Sequence, residues 1–256
     1  MLADDLRNQM PPSLDMSRVV SQALQIVWRR RSDVARVVMV PAIGQILVGV
    51  VSGHLGIEHL RYQLPLGLVQ MVLVTMLAVA VHRVMLLGQG SVSSSNGLLS
   101  WTPRETHYLG RSLALLVIAL VVSRLPVSVL EHIMERGLPD PWGLLSAFSA
   151  PFFAVVSVYV LSRLNLVLPA TAIDEQHNFR WAWQRSRGHG LRLLVVVGLF
   201  PGVFLWWARA FIERGQPMLA NGLVYTAWVA VLVVTIATLS SAYQTLTQGV
   251  NPMSAR

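Results

Sequence analysis

Arg83 and Arg163 are the residues of this sequence whose type and position most directly suggest chemistry, because each lies inside an apolar segment. A charge at the centre of a membrane costs at least ~2.5 kcal/mol on insertion scales, so a partner is expected. A guanidinium suits bidentate contact with phosphate or carboxylate. We therefore predict that the two arginines bind lipid phosphate or another anion. The alternative is that each side chain extends to the headgroups while its stem stays in hydrocarbon.

Other polar residues accompany the arginines in these segments, and Arg83, Arg163 and Tyr243 follow one another at intervals of 80 residues. The predicted ligand-binding residues are Arg83, Arg163, His82, Asn165 and Tyr243. Three acids near the ends of neighbouring apolar segments are the expected partners of the arginines: Glu105, Asp174 and Glu175. The ligand expected from this set is the anionic headgroup of a membrane lipid.

No motif for catalysis, for a cofactor or for a metal ion is recognisable. The chain contains no Cys, which excludes thiolate chemistry and disulfides. His54 and His59 flank Glu58, but their spacing is not that of a zinc-binding helix motif. No phosphate-binding glycine loop and no nucleophile elbow is present. We therefore predict that the protein is not an enzyme and uses neither a cofactor nor a metal.

The composition indicates a membrane protein. Of the 256 residues, 54% are hydrophobic and 12% are charged, whereas soluble domains carry about 25% charged residues. The formal net charge is +8, and all 20 basic residues are arginines. In a soluble chain this charge would suggest nucleic acid. Here it is better explained by arginines that face anionic headgroups, so we predict membrane lipids as partners and no nucleic acid.

Six apolar segments are long enough to cross the hydrocarbon core, which takes about 20 helical residues. The predicted spans are residues 34–51, 64–87, 112–130, 145–168, 191–211 and 219–239. The predicted fold is all-α, a polytopic membrane bundle of six transmembrane helices with amphipathic elbow helices on the cytoplasmic side. Residues 1–12 are expected to be disordered, and residues 13–256 to form a single transmembrane domain.

The elbow helices are predicted before the odd-numbered spans. The first begins at Ser13 or Asp15 and carries its apolar residues on one face. The second begins with a capping box at residues 102–105, where Thr is followed three residues later by Glu. Asp174 is expected to cap the third, over residues 177–187.

The arginines between the spans predict the orientation. They are more numerous before span one and after spans two and four than in the opposite loops, which hold Arg61, Arg136 and Arg214. Because positive residues stay on the cytoplasmic side, both termini are predicted to be cytoplasmic. The predicted location is the bacterial inner membrane.

The sequence also suggests three hairpin repeats, at residues 16–88, 102–171 and 174–247. Each would pair an odd span with an even span that ends in a polar-interrupted segment, as in many transporter folds. Identity among the three is low, and any protein of six spans shows hairpin periodicity. A true triplication and a trivial periodicity therefore both remain open.

Three segments carry a resemblance to known proteins: residues 78–88, 163–170 and 179–188. They resemble bacterial six-helix proteins of unknown function related to the glycerophosphoryl diester phosphodiesterase membrane domain and to the YciC-type groups. Those groups pair a surface helix, containing Trp and a basic-Gly end, with a following hairpin. The chain has no room for the soluble catalytic barrel. The resemblance therefore implies membrane integration and a role in envelope or lipid homeostasis, without hydrolase activity.

Two functions from different classes follow. The first is a non-enzymatic integral protein of the inner membrane that recognises lipid or supports other membrane proteins. The alternative is a small transporter or channel in which Arg83 and Arg163 line a polar path. An intramembrane enzyme is disfavoured, because no acid pair and no nucleophile are recognisable in the predicted spans.

Overall fold

The protein is described by a computed structural model that covers residues 16–54, 60–88, 101–135, 144–212 and 218–248. These residues form helices joined by short turns and contain no strand. The disorder predicted for residues 1–12 lies outside them. The helices are α1 (Met16–Arg29), α2 (Arg31–His54), α3 (Leu60–Leu87), α4 (Pro103–Glu135), α5 (Leu144–Leu164), α6 (Val167–Ala172), α7 (Phe179–Arg185), α8 (Gly190–Leu193), α9 (Phe200–Ile212) and α10 (Met218–Gln248), with a π-helical turn (Leu194–Leu199) between α8 and α9.

Six helical segments are long and apolar enough to cross a membrane, which confirms the predicted all-α, multi-pass bundle. The spans are residues 31–52, 64–87, 103–132, 148–172, 190–212 and 220–247. Their surfaces expose large apolar side chains such as Leu47, Leu68 and Leu120. Lipid tails are as apolar as leucine, so these exposed faces suit a bilayer.

The elbow before span one is a separate helix, whereas the elbow before span three is not. A turn at Arg30 separates α1 from α2. Val19 and Ala23, one helical turn apart on α1, are buried against the bundle, where α1 packs on α10. By contrast, α4 runs from Pro103 to Glu135 without a break. The second predicted elbow is therefore the first part of span three.

Glu105 makes its predicted capping contact at the start of span three, and the predicted cap of α7 is wrong. The Thr102 N–H donates to Glu105 Oε2 at 2.8 Å, ahead of Pro103 at the first helical position. At α7, Asn178 Oδ1 accepts the N–H of the residue three positions on, at 2.8 Å. Asp174 does not cap this helix, because it belongs to the turn that ends α6.

The buried apolar core lies at the end of the bundle where spans two, four and six terminate, which we call the arginine-rich end. One cluster joins Leu77 and Val81 of span two to Ile236 of span six. A second cluster joins Leu166 of span four to Leu239. Because lipid supplies little hydrophobic drive between helices, their association depends on close fit and polar contacts. The polar contacts that follow all lie at this end.

The spans pack as two units. Spans one and two form a hairpin, and α10 packs against both and against α1. Spans three and four form a second hairpin, and span five joins it through the π-helical turn. Gly49 allows spans one and six to approach, since a Cβ there would lie 2.4 Å from Tyr225 Cδ1. Whether three hairpins arose by triplication remains a prediction.

Span four is interrupted near the arginine-rich end, and this interruption positions two acids. A turn at Asn165 and Leu166 separates α5 from α6. After α6, the Glu175 N–H donates to Ala170 O at 2.9 Å, in a Schellman motif. Asp174 takes the left-handed position of this motif, with φ of +65°, where Gly is usual. The two acids therefore lie next to each other just beyond the end of span four.

Candidate functional site

The loop of residues 173–178 lies between α6 and α7, and we call it the acidic loop because it carries Asp174 and Glu175. Arg104, at the start of span three, holds the first acid. Its Nε donates to both carboxylate oxygens of Asp174, at 2.8 and 3.0 Å, and its Nη2 lies 2.8 Å from Oδ2. This fork geometry is the strong form of an arginine–carboxylate contact.

Arg83, from span two, also reaches the acidic loop. Its Nη1 donates to Ala172 O at 3.3 Å and lies 3.6 Å from Asp174 Oδ2. The expectation that an acid pairs with Arg83 is therefore met at Asp174. One carboxylate links the ends of spans two, three and four.

The Asp174 carboxyl lies just outside the spans, and its environment favours the charged form. The hydrogen bond from Arg104 lowers the pKa of Asp174 below its ordinary value, while partial burial opposes this. A depressed folded-state pKa means that the stabilisation is present at neutral pH and is lost as the pH falls through that pKa. The side chain is 57% exposed, so water screens the interaction strongly.

Glu175 binds the end of span six. Its Oε2 accepts a hydrogen bond from the Tyr243 hydroxyl and lies 3.1 Å from His177 Nε2. The His177 ring stacks on Trp181 of α7, with centroids 3.9 Å apart. Tyr243 itself is buried. The two adjacent acids thus connect four of the six spans, with α7 packed alongside.

Arg163 has a different environment, built from α7 and the turn after it. Its Nε donates to Ser186 Oγ at 2.8 Å, and its Nη2 donates to Trp183 O at 2.6 Å. The guanidinium carbon lies 3.7 Å from the centroid of the Trp183 ring, and Nη1 lies 3.4 Å from the Tyr159 hydroxyl. Arg163 is 7% exposed. This cage holds the end of span four against α7.

His82 lies at the meeting point of three spans and is fully buried. Its Nδ1 lies 2.7 Å from Ser240 Oγ of span six, and its Nε2 lies 3.3 Å from the Tyr108 hydroxyl of span three. The Ser240 hydroxyl also lies within hydrogen-bond distance of Ile236 O, 2.9 Å away. His82 thus joins spans two, three and six through two side-chain contacts.

The five predicted site residues separate into distinct places. Arg83 and Tyr243 meet at the acidic loop, through adjacent acids. His82 is next to Arg83 in sequence but faces the buried junction with span six. Arg163 contacts neither acid of the loop in the part of the chain that the structure describes. Asn165 lies in the turn inside span four, where its backbone carbonyl accepts the N–H of the residue three positions further on, at 3.0 Å.

Several residues of the site were not predicted as members. Arg104 is one of the arginines that follow span two, and its position in the capping-box segment puts it at the same end of the bundle as the acids. Ser240 was not predicted, because a serine in an apolar span looks like any other small residue in the sequence. Arg30 donates to Val84 O at the end of α3, where a cation suits the helix C-terminus.

A second polar feature lies away from the acidic loop. Gln45 of span one is 1% exposed, and neither its amide nitrogen nor its amide oxygen has a hydrogen-bond partner among the described residues. It shares the inward face of α2 with Pro41 and Gly49, which are also buried. Within the described residues, no group of three or more His, Cys, Asp or Glu side chains could hold a metal ion.

The fold and the site together define a multi-pass membrane protein whose polar contacts collect at one end of a helix bundle. No protein-family model, no curated protein and no solved structure matches the chain. The resemblance carried by residues 78–88, 163–170 and 179–188 therefore remains a prediction.

Proposed function

We propose that this chain is a non-enzymatic integral protein of the bacterial inner membrane whose arginine-rich end binds anionic lipid headgroups. The observation that carries the proposal is the collection of exposed arginines at this end, on α1, on the first turns of span one and around α7. They include Arg29, Arg31, Arg36, Arg180 and Arg187. Such a surface attracts anionic lipid with about 1 kcal/mol per basic residue.

Exposed tryptophans support a position at the headgroup level. Trp28 is 70% exposed, and the Arg31 guanidinium lies 5.1 Å from its ring centroid. Trp101 is also exposed, just ahead of span three. Tryptophan is enriched at the membrane–water interface, where its ring is amphipathic. Neighbouring exposed arginine and tryptophan side chains therefore indicate a surface that lies at the level of the lipid headgroups.

The predicted site residues contribute unequally to this proposal. Arg83 lies beside the partly exposed Arg104 and close to the surface. Arg163 is enclosed by Tyr159, Trp183 and Ser186, so its role is to hold the bundle together. We therefore assign headgroup contact to the exposed arginines and to Arg83. The role in envelope or lipid homeostasis, which the resemblance implies, is compatible with lipid recognition.

A small transporter or channel is the second candidate, and Gln45 is the observation that favours it. A buried amide without a partner inside a membrane bundle is costly, and residues of this kind often mark solute paths. Because Arg163 is enclosed by other side chains, it is poorly placed to line a solute path together with Arg83. Lipid binding is better supported, because it rests on many residues of one surface.

Lipid retention in native mass spectrometry tests the proposal. The detergent-solubilised protein is exposed to phosphatidylglycerol or to phosphatidylcholine, and Arg187→Gln and Arg180→Gln are compared with Arg124→Gln. Each substitution removes one exposed charge, but Arg124 lies about 30 Å along α4 from its start at the arginine-rich end. We expect Arg180→Gln and Arg187→Gln each to lower phosphatidylglycerol retention roughly fivefold, and Arg124→Gln to change it little.

The lipid proposal is abandoned if the wild-type protein retains both lipids equally. It is also abandoned if all three variants lose phosphatidylglycerol to the same extent, because total charge would then explain the result.

A further inference from the structure

We propose that Arg83 and Arg104 form a phosphate-binding site that the carboxylate of Asp174 occupies from within the chain. Headgroup phosphate and Asp174 then compete for the same guanidinium groups. The inference rests on the proposed function for its ligand class, a phosphate monoanion. It adds a specific site and an internal competitor that regulates the site.

The geometry of the Asp174 contact is the first argument. Arg104 presents two nitrogens to the two carboxylate oxygens, at distances of 2.8 to 3.0 Å. A phosphate offers two oxygens with similar spacing, and arginine binds both anions through the same fork. Arg83 approaches the same carboxylate from another span, with Nη1 3.6 Å from Oδ2. Two cations from different spans thus converge on one exchangeable anion.

The local charges favour a monoanion as the replacement. Arg83 and Arg104 face two acids, Asp174 and Glu105, and His107 also lies within electrostatic range of Asp174. Glu105 is buried and committed to Thr102, whose N–H and hydroxyl both donate to it. If Asp174 moves away, Glu105 is the acid that remains near the two guanidiniums. The group of two arginines and one acid then has a net positive charge. A phosphodiester restores neutrality.

Access and backbone conformation make Asp174 the group that can leave. Its side chain is 57% exposed and that of Arg104 is 25% exposed, so an external anion can reach the contact. The backbone of Asp174, with a φ of +65°, is held by the Schellman motif after α6 and not by the ion pair. The carboxylate can therefore turn away from the arginines without a change in the backbone.

Neighbouring polar contacts lack these properties. Arg163 is 7% exposed, and its guanidinium donates to Ser186 and to the Trp183 carbonyl, neither of which is an anion. Glu175 is bound by Tyr243 and lies beside His177, and none of the described arginines contacts it. Asp174 is therefore the acid of the loop that imitates a phosphate.

The test compares Asp174→Asn with Glu175→Gln in the full-length protein. Both substitutions remove one negative charge from adjacent residues, but only the first vacates the arginines. Asparagine also tolerates the left-handed conformation. Apparent dissociation constants are measured for phosphatidylglycerol by native mass spectrometry, and thermal protection by inorganic phosphate is measured in a parallel arm. We expect Asp174→Asn to bind phosphatidylglycerol roughly fivefold more tightly than wild type, and Glu175→Gln to stay within about twofold.

Two further variants control for misfolding and for lipid binding elsewhere on the protein. Asp174→Gly removes the carboxylate and suits the positive φ, so it replaces Asp174→Asn if that variant folds poorly. Adding Arg104→Gln to Asp174→Asn should abolish the gain. Equal gains in Asp174→Asn and Glu175→Gln overturn the inference, as does the absence of a gain or a gain that survives Arg104→Gln.

The two measurements also distinguish lipid phosphate from free phosphate. Together with the earlier variants, they distinguish this site from the broader lipid-binding surface. Tighter binding of phosphatidylglycerol by Asp174→Asn, together with its thermal protection by inorganic phosphate, supports the site with a free anion as an additional ligand. Tighter binding of phosphatidylglycerol without protection by phosphate supports the site with lipid as its ligand. A gain that depends on Arg104, together with unchanged retention in Arg180→Gln and Arg187→Gln, would keep this site and remove the broader lipid surface.

Discussion

Three of the contacts that the Arg163 guanidinium makes depend on its planar shape. It donates through Nε to Ser186, donates through Nη2 to the Trp183 carbonyl, and lies over the Trp183 ring, with its central carbon 3.7 Å from the ring centroid. An ammonium group has the same charge but no plane and no fixed fork. The charge of Arg163 is therefore less important than its geometry, which joins the end of span four to α7.

We expect Arg163→Lys to lower the free energy of unfolding by about 1–3 kcal/mol, because the buried Ser186 hydroxyl and the Trp183 carbonyl lose well-placed donors. Arg187→Lys is the control, since Arg187 is exposed and has no such cage. Thermal or denaturant unfolding of both variants in detergent provides the measurement. Equal stabilities would show that Arg163 contributes charge alone.

At the scale of helices, small residues decide where spans approach each other. The sequence pairs Gly198 and Gly202 in a pattern typical of close helix contact. In the structure only Gly198, in the π-helical turn, faces a neighbour: a Cβ there would lie 2.4 Å from Val158 Cγ1 of α5. A Cβ at Gly202 would meet nothing within 4 Å. One glycine of the pair therefore serves packing, and the other does not.

This difference yields a matched pair of substitutions. We expect Gly198→Ala to destabilise the protein by about 1–3 kcal/mol, because Val158 or the backbone of α5 must move. Gly202→Ala should instead be neutral or stabilising by up to about 1 kcal/mol, because alanine is the better helix former. Unfolding in detergent measures both. If the two alanines have the same effect, the contact between spans four and five is not as described.

At the scale of the whole molecule, the polar contacts and the buried core coincide at one end. Spans two, four and six finish there, and the acidic loop links their ends to the start of span three. Exposed tryptophans mark both ends: Trp28 and Trp101 at the arginine-rich end, Trp206 and Trp207 near the far end of span five. This arrangement is typical of a bundle that meets headgroups on both sides.

The topology prediction belongs to this scale. With the arginine-rich end in the cytoplasm, a fluorescent protein fused at residue 95 or at the C-terminus should fluoresce, whereas alkaline phosphatase should be active when fused at residue 139. The reason is the excess of arginine before span one and after spans two and four. Active phosphatase at the C-terminus would reverse the orientation.

Much of the fold was predictable because apolar length is a local property of the sequence. Six segments of about 20 apolar residues indicate six spans wherever they pack, and the capping box before span three follows from Thr102 and Glu105. The cap of α7 was predicted wrongly, because Asp174 and Asn178 are equally good caps by type. The Schellman turn after α6 decided between them.

The sequence alone determined that the chain is a six-span helical membrane protein and that charged residues enter its spans, since hydropathy and charge are read residue by residue. Only the tertiary structure decided which charges meet. Arg104 and Asp174 are 70 residues apart, and His82 and Ser240 are 158 apart. Contacts over such separations depend on which helices become neighbours and on how each is rotated, and these are set by close packing throughout the bundle.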